Sequence, residues 1–194
     1  MPFQDKRNDT GHVENVTYFA LRLLEHFPEV KRDIVMPAAI LHDTGWSQLT
    51  DTERALFYET GDDGTGTQIC IRYDPILRAR HQEQGVYMAG RILTDLGYSQ
   101  EHTPHILEII SEHDTRNGFI SAEDGIMRDA DKLWRYTYPH ILLGIRERGD
   151  IPEKLRDLLI DNCKKEGFFY SDIAREIAMI ELEHSMDEYK RQNG

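Results

Sequence analysis

The chain has 194 residues, with 23 Lys+Arg against 35 Asp+Glu, which gives a formal charge of −12 at pH 7. That length suits one domain able to bury a core without disulfides. The only cysteines, Cys70 and Cys163, form neither a pairing pattern nor a C-x-x-C, which excludes a disulfide scaffold and a thiolate zinc site. The first residues lack signal-peptide character and no apolar run approaches ~18 residues, so the chain reads as soluble and cytoplasmic, with no membrane partner. The acidic balance argues against a nucleic acid polymer held by backbone charge, but not against a small phosphorylated ligand, because a metal can reverse the local sign.

In chain order the pattern is helical. Thr10-Gly11 lead into a helix over 12–27, with Val16, Phe19, Ala20, Leu23, Leu24 and Phe27 on one stripe and Pro28 as its stop. A second helix spans about 34–42, with Pro37 in its first turn and Gly45 beyond its end. From 47 to 80 the periodicity degrades. Thr50 to Glu53 fits a capping box before a short helix through Tyr58, and the glycine-rich 60–67 stretch reads as a loop. It has no Gly-Lys-Ser/Thr, so it is not a P-loop. A helix over 81–96 ends at Gly97, and its Gly85 and Ala89 allow a close neighbour. Thr103-Pro104 then caps a helix carrying Ile106, Ile110 and His113. A helix from 122 to 138 holds Ile126, Ala130, Leu133 and Trp134, and two more follow at 152–165 and 171–191. With no strand pattern, the expected fold is all-α. It is a single domain over 1–194, with its core at about 10–140 and the C-terminal helices of about 150–191 packed on it.

Nine histidines are many for this length. His12, His42, His81 and His113 each lie on the apolar stripe of a different predicted helix. One such histidine is an ordinary core residue. Four in one core need a shared partner, since each brings a ring N–H and a lone pair into apolar surroundings. A metal supplies one, and Asp43 and Asp131 add hard anionic oxygens. His26, His102, His105, His140 and His184 read as solvated or capping residues.

This ordered set resembles the HD-domain superfamily of metal-dependent phosphohydrolases. The motifs that carry the likeness are His12, AAILHDTGW (38–46), RHQEQGVYMAGRILTDLGY (80–98), ILEIISEH (106–113) and Asp131 within Arg128-Asp129-Ala130-Asp131-Lys132-Leu133. GFFYSDIAREIA (167–178) extends it less specifically. The resemblance implies that His12, His42, Asp43 and Asp131 bind one metal. It also implies that His81 and His113 bind a second, with Asp43 bridging and central to catalysis. Asp129 is the alternative to Asp131. The dipeptide recurs at His113-Asp114, where Asp114 reads as a helix-end residue that could orient His113 from behind.

Such a centre activates a water against phosphorus. The expected activity is therefore phosphoester hydrolysis of a small phosphomonoester or nucleotide-like substrate, using two divalent ions. Fe or Mn is preferred, with Mg, Co, Ni or Zn compatible. Arg78, Arg80, Arg116, Lys132 and Arg135 flank the ligands as candidate phosphate contacts. Trp46 follows the His-Asp-Thr-Gly turn as a candidate substrate contact, and Tyr73 and Trp134 are further aromatics nearby. A branch of the superfamily with the same six ligands uses a mixed-valent di-iron centre and O₂ on phosphonates or polyols, which is the alternative activity. The sequence around His81 and Asp131 looks more like the hydrolases. A homodimer is compatible with the chain.

Overall fold

A computed structural model describes residues 11–56, 58–62, 68–73, 75–147 and 149–193, with side chains for 11–54, 75–146 and 149–193. The helices are α1 (His12–Leu24), α2 (Arg32–Leu41), α3 (Asp51–Leu56), α4 (Pro75–Asp95), α5 (Thr103–Ser111), α6 (Ala122–Leu133), α7 (Tyr138–Glu147), α8 (Pro152–Lys164) and α9 (Asp172–Asn193). Short 3-10 turns follow α2 (Thr44–Gln48) and α6 (Trp134–Tyr136). The body is all-α, as the periodicity predicts. The predicted stripe of α1 is the buried one: Val16, Phe19, Ala20 and Leu23 face inward beside His12.

One element is an addition to that reading. Strands β1 (Tyr58–Asp62) and β2 (Gln68–Tyr73) pair antiparallel, with a register shift at Glu59/Thr60. The sequence reads as loop there because Gly61 and Asp62 are poor strand formers, so the hairpin lacks a clean alternation in its first arm. Thr60 to Asp62 of the expected loop are therefore strand, and 63–67 lie outside the described residues. The Tyr73 and Cys70 side chains also lie outside them.

Two boundaries moved for identifiable reasons. Pro37 sits in the middle of α2 rather than in its first turn. Without an N–H, it leaves the carbonyl of Asp33 unbonded within the helix. The Tyr98 hydroxyl donates to that carbonyl at 2.6 Å, which supplies the missing bond from outside. Tyr98 is placed to do so by a Schellman turn at the end of α4. Gly97 adopts φ +63°, the Tyr98 N–H donates to the Leu93 carbonyl at 2.8 Å, and the Gly97 N–H donates to that of Thr94 at 3.0 Å. The second shift is at 122–138, where α6 gives way to a 3-10 turn and a separate helix α7. Pro139 cannot continue a helix from Arg135, because its ring meets the carbonyl four residues back, but it is tolerated in the first turn of a new one.

Smaller differences are that α1 ends at Leu24 rather than at 27, α3 at Leu56 rather than at Tyr58, and that α4 begins at Pro75 rather than at 81. Thr50 and Glu53 form the capping box, with Thr50 N–H to Glu53 Oε2 at 2.8 Å and Glu53 N–H to Thr50 Oγ1 at 3.2 Å. The cap before α5 is shifted by one: Thr103 is already helical, with Pro104 second. Ser121, unassigned from the sequence, caps α6 by accepting from the Asp124 N–H at 3.1 Å.

α1 packs on α2 and α6, α2 also meets α5 and α6, and α4 lies against α5 and the Thr44–Gln48 turn. A continuous apolar cluster runs from Val16, Phe19 and Ile34 through Ile110 and Ile126 to Ile177 and Leu182, so residues of α9 share the core with those of α1. Among the described residues no helix is long and apolar enough to cross a membrane.

Candidate metal centre

Each of the four inward histidines comes from a different part of the bundle. His12 opens α1, His42 follows the last residue of α2, His81 sits in α4, and His113 lies in the turn after α5. Their rings form a chain with centroids 5.2 Å (His12–His42), 5.1 Å (His42–His113) and 5.4 Å (His113–His81) apart. The two tryptophans bracket this chain. Trp134 meets His12 edge-on at 5.6 Å, and Trp46 stacks on His81 at 4.4 Å.

Three of the rings are oriented in the same way. Nδ1 of His42, His81 and His113 lies 2.9, 2.8 and 2.9 Å from the carbonyl three residues earlier, that of Ala39, Arg78 and Ile110 respectively. A carbonyl only accepts, so Nδ1 is the donor. In the neutral ring this leaves the lone pair on Nε2, the atom turned into the centre. Backbone carbonyls thus set the tautomer a metal needs. His12 has no such anchor among the described residues.

Asp43 lies between two histidine pairs. Its Oδ2 is 3.3 Å from His12 Nε2 and 3.6 Å from His42 Nε2, and its Oδ1 is 3.5 Å from both His81 Nε2 and His113 Nε2. Asp131 Oδ1 closes the first pair, at 3.3 Å from His12 and 3.5 Å from His42. All six residues expected to converge therefore do so. Asp129, the alternative, is used elsewhere: its carboxylate accepts from the Tyr170 N–H (2.7 Å), the Ser171 N–H (2.9 Å) and the Ser171 hydroxyl (2.8 Å), tying α6 to the start of α9.

One further carboxylate reaches the centre. Asp114 does not stand behind His113, where the Ile110 carbonyl already sits. Its Oδ2 lies 3.7 Å from Nε2 of both His81 and His113, on the inner side of the rings. The repeated His-Asp dipeptide was the available signal.

Burial sets the electrostatics. It raises the Asp43 carboxyl, but His42, followed by hydrogen bonds from His113, His12 and His81, overcomes this and holds it well below the usual carboxylate range. Asp131 is likewise lowered despite burial, by hydrogen bonds from His12 and His42. Burial pushes His12 down, yet hydrogen bonds to Asp131 and Asp43 outweigh it and lift the imidazole to about 10. His113 is lifted to about 9, with Asp114 and then Asp43 overcoming burial. Without a bound ion these carboxylates therefore favour the protonated form of both rings.

An ion must displace those protons, so its affinity should rise with pH by about tenfold per unit for each proton released. Manganese titration calorimetry between pH 6.5 and 8, in buffers of different ionisation enthalpy, reads the proton count. A count of zero would contradict the assignment. Stability without metal should move the other way. The contribution of these two histidines is full below their unfolded value of 6.5 and is lost as pH rises through about 9 and 10.

The remaining predicted contacts fall in different places. Arg78 reaches the centre: its guanidinium donates to the Asp114 carbonyl and lies 3.8 Å from its carboxylate. Arg80 is exposed and paired with Glu53. Arg116 is held by Glu112 at 3.1 Å and by the buried Asp124 at 3.7 Å. Lys132 donates to the Phe168 carbonyl and lies 5.1 Å over the Phe119 ring and 5.3 Å over Phe168. Burial, reinforced by Arg128, pushes its ammonium down to about 8. Arg135 is half-buried after α6. Trp46 is fully buried, so its ring backs His81 and presents no face outward. Trp134 is core, as its stripe implies. Of the five other histidines, His26 and His184 are exposed, and His102, His105 and His140 are half-buried.

The donor set is one that divalent transition ions take: neutral imidazoles and carboxylates converging in a buried pocket, in groups of three whose ligand atoms lie within 4.8 Å of one another. The family model of the HD domain matches residues 10–136, which include every residue of this cluster. The chain belongs to the HD-domain family, a superfamily of metal-dependent phosphohydrolases. No curated protein and no solved structure matches it.

Proposed function

We propose that this protein hydrolyses a small phosphomonoester or nucleotide-like substrate at a centre of two divalent ions, Fe or Mn in preference to Mg, Co, Ni or Zn. The observation that carries the reading is the placement of Asp43, one oxygen toward His12 and His42 and the other toward His81 and His113. A carboxylate so placed is built to bridge. His12, His42 and Asp131 would hold one ion, and His81 and His113 the other. When bound, the pair supplies the Lewis acidity that activates a water and neutralises charge developing on phosphorus.

The chain's own residues do the rest. Carbonyls behind His42, His81 and His113 fix their rings, so little reorganisation accompanies the reaction. Asp131 and Asp114 keep 15 and 16 % of their side-chain surface, while His81 keeps none, so the centre opens on the side of those two carboxylates. Arg78, 32 % exposed beside Asp114, is the cation positioned to meet a phosphate entering there. A polyanionic polymer does not suit a chain of charge −12, whereas a compact phosphate at a cationic metal edge does.

A second reading rests on a specific feature: two histidines with one carboxylate on each side of Asp43 is also the arrangement of iron sites that use O₂. One experiment separates them. Natively purified protein is assayed for metal content, phosphate release from a phosphoester and nucleotide panel, and O₂ uptake with phosphonates and polyols. Phosphate release dependent on the bound ions is the expected result, and substrate-dependent O₂ consumption without it would overturn the hydrolase.

A further inference from the structure

Asp114 is the one carboxylate of the centre that neither the family pattern nor the hydrolase reading uses. It stands to His81 and His113 as Asp131 stands to His12 and His42. The distances are 3.7 Å to both rings in the first set, and 3.3 and 3.5 Å in the second. His81, His113 and Asp114 form a group that could hold an ion, as do His12, His42 and Asp131. We propose that Asp114 is a ligand of the second divalent ion, making each position a two-histidine, one-carboxylate set with Asp43 shared between them. The inference rests on the two-ion reading above and deepens it.

The loop carrying Asp114 is built to hold it there. The buried Gln82 accepts from the Asp114 N–H and from the Thr115 hydroxyl through the same Oε1, each at 3.2 Å. Arg78, one turn earlier on α4, donates to the Asp114 carbonyl. His81 lies between these two residues, so one stretch of α4 both carries a ligand and positions the carboxylate opposite it. Farther along, Arg128 donates to the Arg116 carbonyl at 2.8 Å, and the Ile120 N–H donates to Asp124 Oδ2 at 3.1 Å, which fixes the return of the loop to α6. A merely capping aspartate would need none of this. A third carboxylate also adds hard oxygen to a site of two imidazoles, which suits Mn²⁺ or Fe²⁺. Three carboxylates against two divalent ions still leave net positive charge to attract a phosphate.

The holding bonds use the backbone of Asp114, so replacing its side chain leaves the loop in place and tests the carboxylate alone. Metal-free full-length protein is dialysed against Mn²⁺ and the ions per chain are counted. Melting of each metal-free variant serves as the folding check. The unaltered chain should take two ions, and Asp114→Ala one. Asp114→Asn, which keeps the shape, should bind the second ion more than about 100-fold more weakly, beyond the 10–100-fold of a group that only orients a ligand. His81→Ala, run alongside, should also fall to one. If His81→Ala falls to one while both Asp114 variants keep two at unchanged affinity, Asp114 is not a ligand. If the unaltered chain takes only one ion, the two-ion reading beneath the proposal fails instead.

Discussion

Asp43→Ala is expected to abolish metal loading at both positions and with it all phosphoester hydrolysis. Each oxygen of Asp43 faces a different histidine pair, so no single-ion state is spared. Loss of an orienting partner alone costs about 10–100-fold in affinity, and loss of a shared direct ligand should exceed that at each ion. The fold should survive. His12 owes part of its raised pKa to Asp43, and without that carboxylate it can shed its proton rather than remain a stranded buried charge. Metal content and phosphate release are measured on the same sample, with circular dichroism as the folding check. A variant that kept both ions with normal activity would refute the site as described. The contrast with His81→Ala, which should remove one ion only, distinguishes a bridge from an ordinary ligand.

Gly45→Ala is expected to be strongly destabilising. A β-carbon there would lie 1.9 Å from the His81 carbonyl oxygen and 2.5 Å from the Gly85 nitrogen. Both are backbone atoms of α4, and neither can rotate away. Relief requires α4 to separate from the Thr44–Gln48 turn, which moves His81 away from His42 and Asp43. Ordinary overpacking costs about 1–3 kcal/mol. A backbone collision at the metal centre should exceed ~4 kcal/mol, in the tail of single-substitution effects. The comparison is Gly90→Ala on the same helix, where the new methyl meets only Leu107 side-chain atoms at 3.6 and 3.9 Å. That change should be neutral or stabilising by up to about 1 kcal/mol, from helix propensity alone. Thermal unfolding of the two variants tests the pair, and equal melting temperatures would show that the Gly45 contact carries no strain.

The two glycines also show what a sequence can hold without displaying it. Gly85 signals a close approach on its own helix, and the structure supplies the partner, the glycine of the His-Asp-Thr-Gly turn. The partner lies forty residues away along the chain, and no periodicity within either segment names it. The tryptophans illustrate the same limit. Trp134 continues a stripe and is core, as a stripe implies. Trp46 sits in an irregular turn with no periodicity to assign it a side, and burial against His81 was decided by where α4 packs.

The helical body, the capping box at Thr50, the stop at Gly97 and the convergence of His12, His42, His81 and His113 are legible in the chain alone. These follow from local propensities and from the cost of burying imidazoles without a common partner, and both are written in residue type and spacing. The tertiary structure decided what depends on contacts between distant segments. Pro37 can sit inside α2 because the Tyr98 hydroxyl supplies the bond its ring removes. Asp129 serves the start of α9 while Asp131, two residues on, faces the histidines, because that step turns a helical side chain to another face. Asp114 reads as a helix end in one dimension. In three it faces the metal centre, because Gln82 and Arg78 of α4 hold its backbone there.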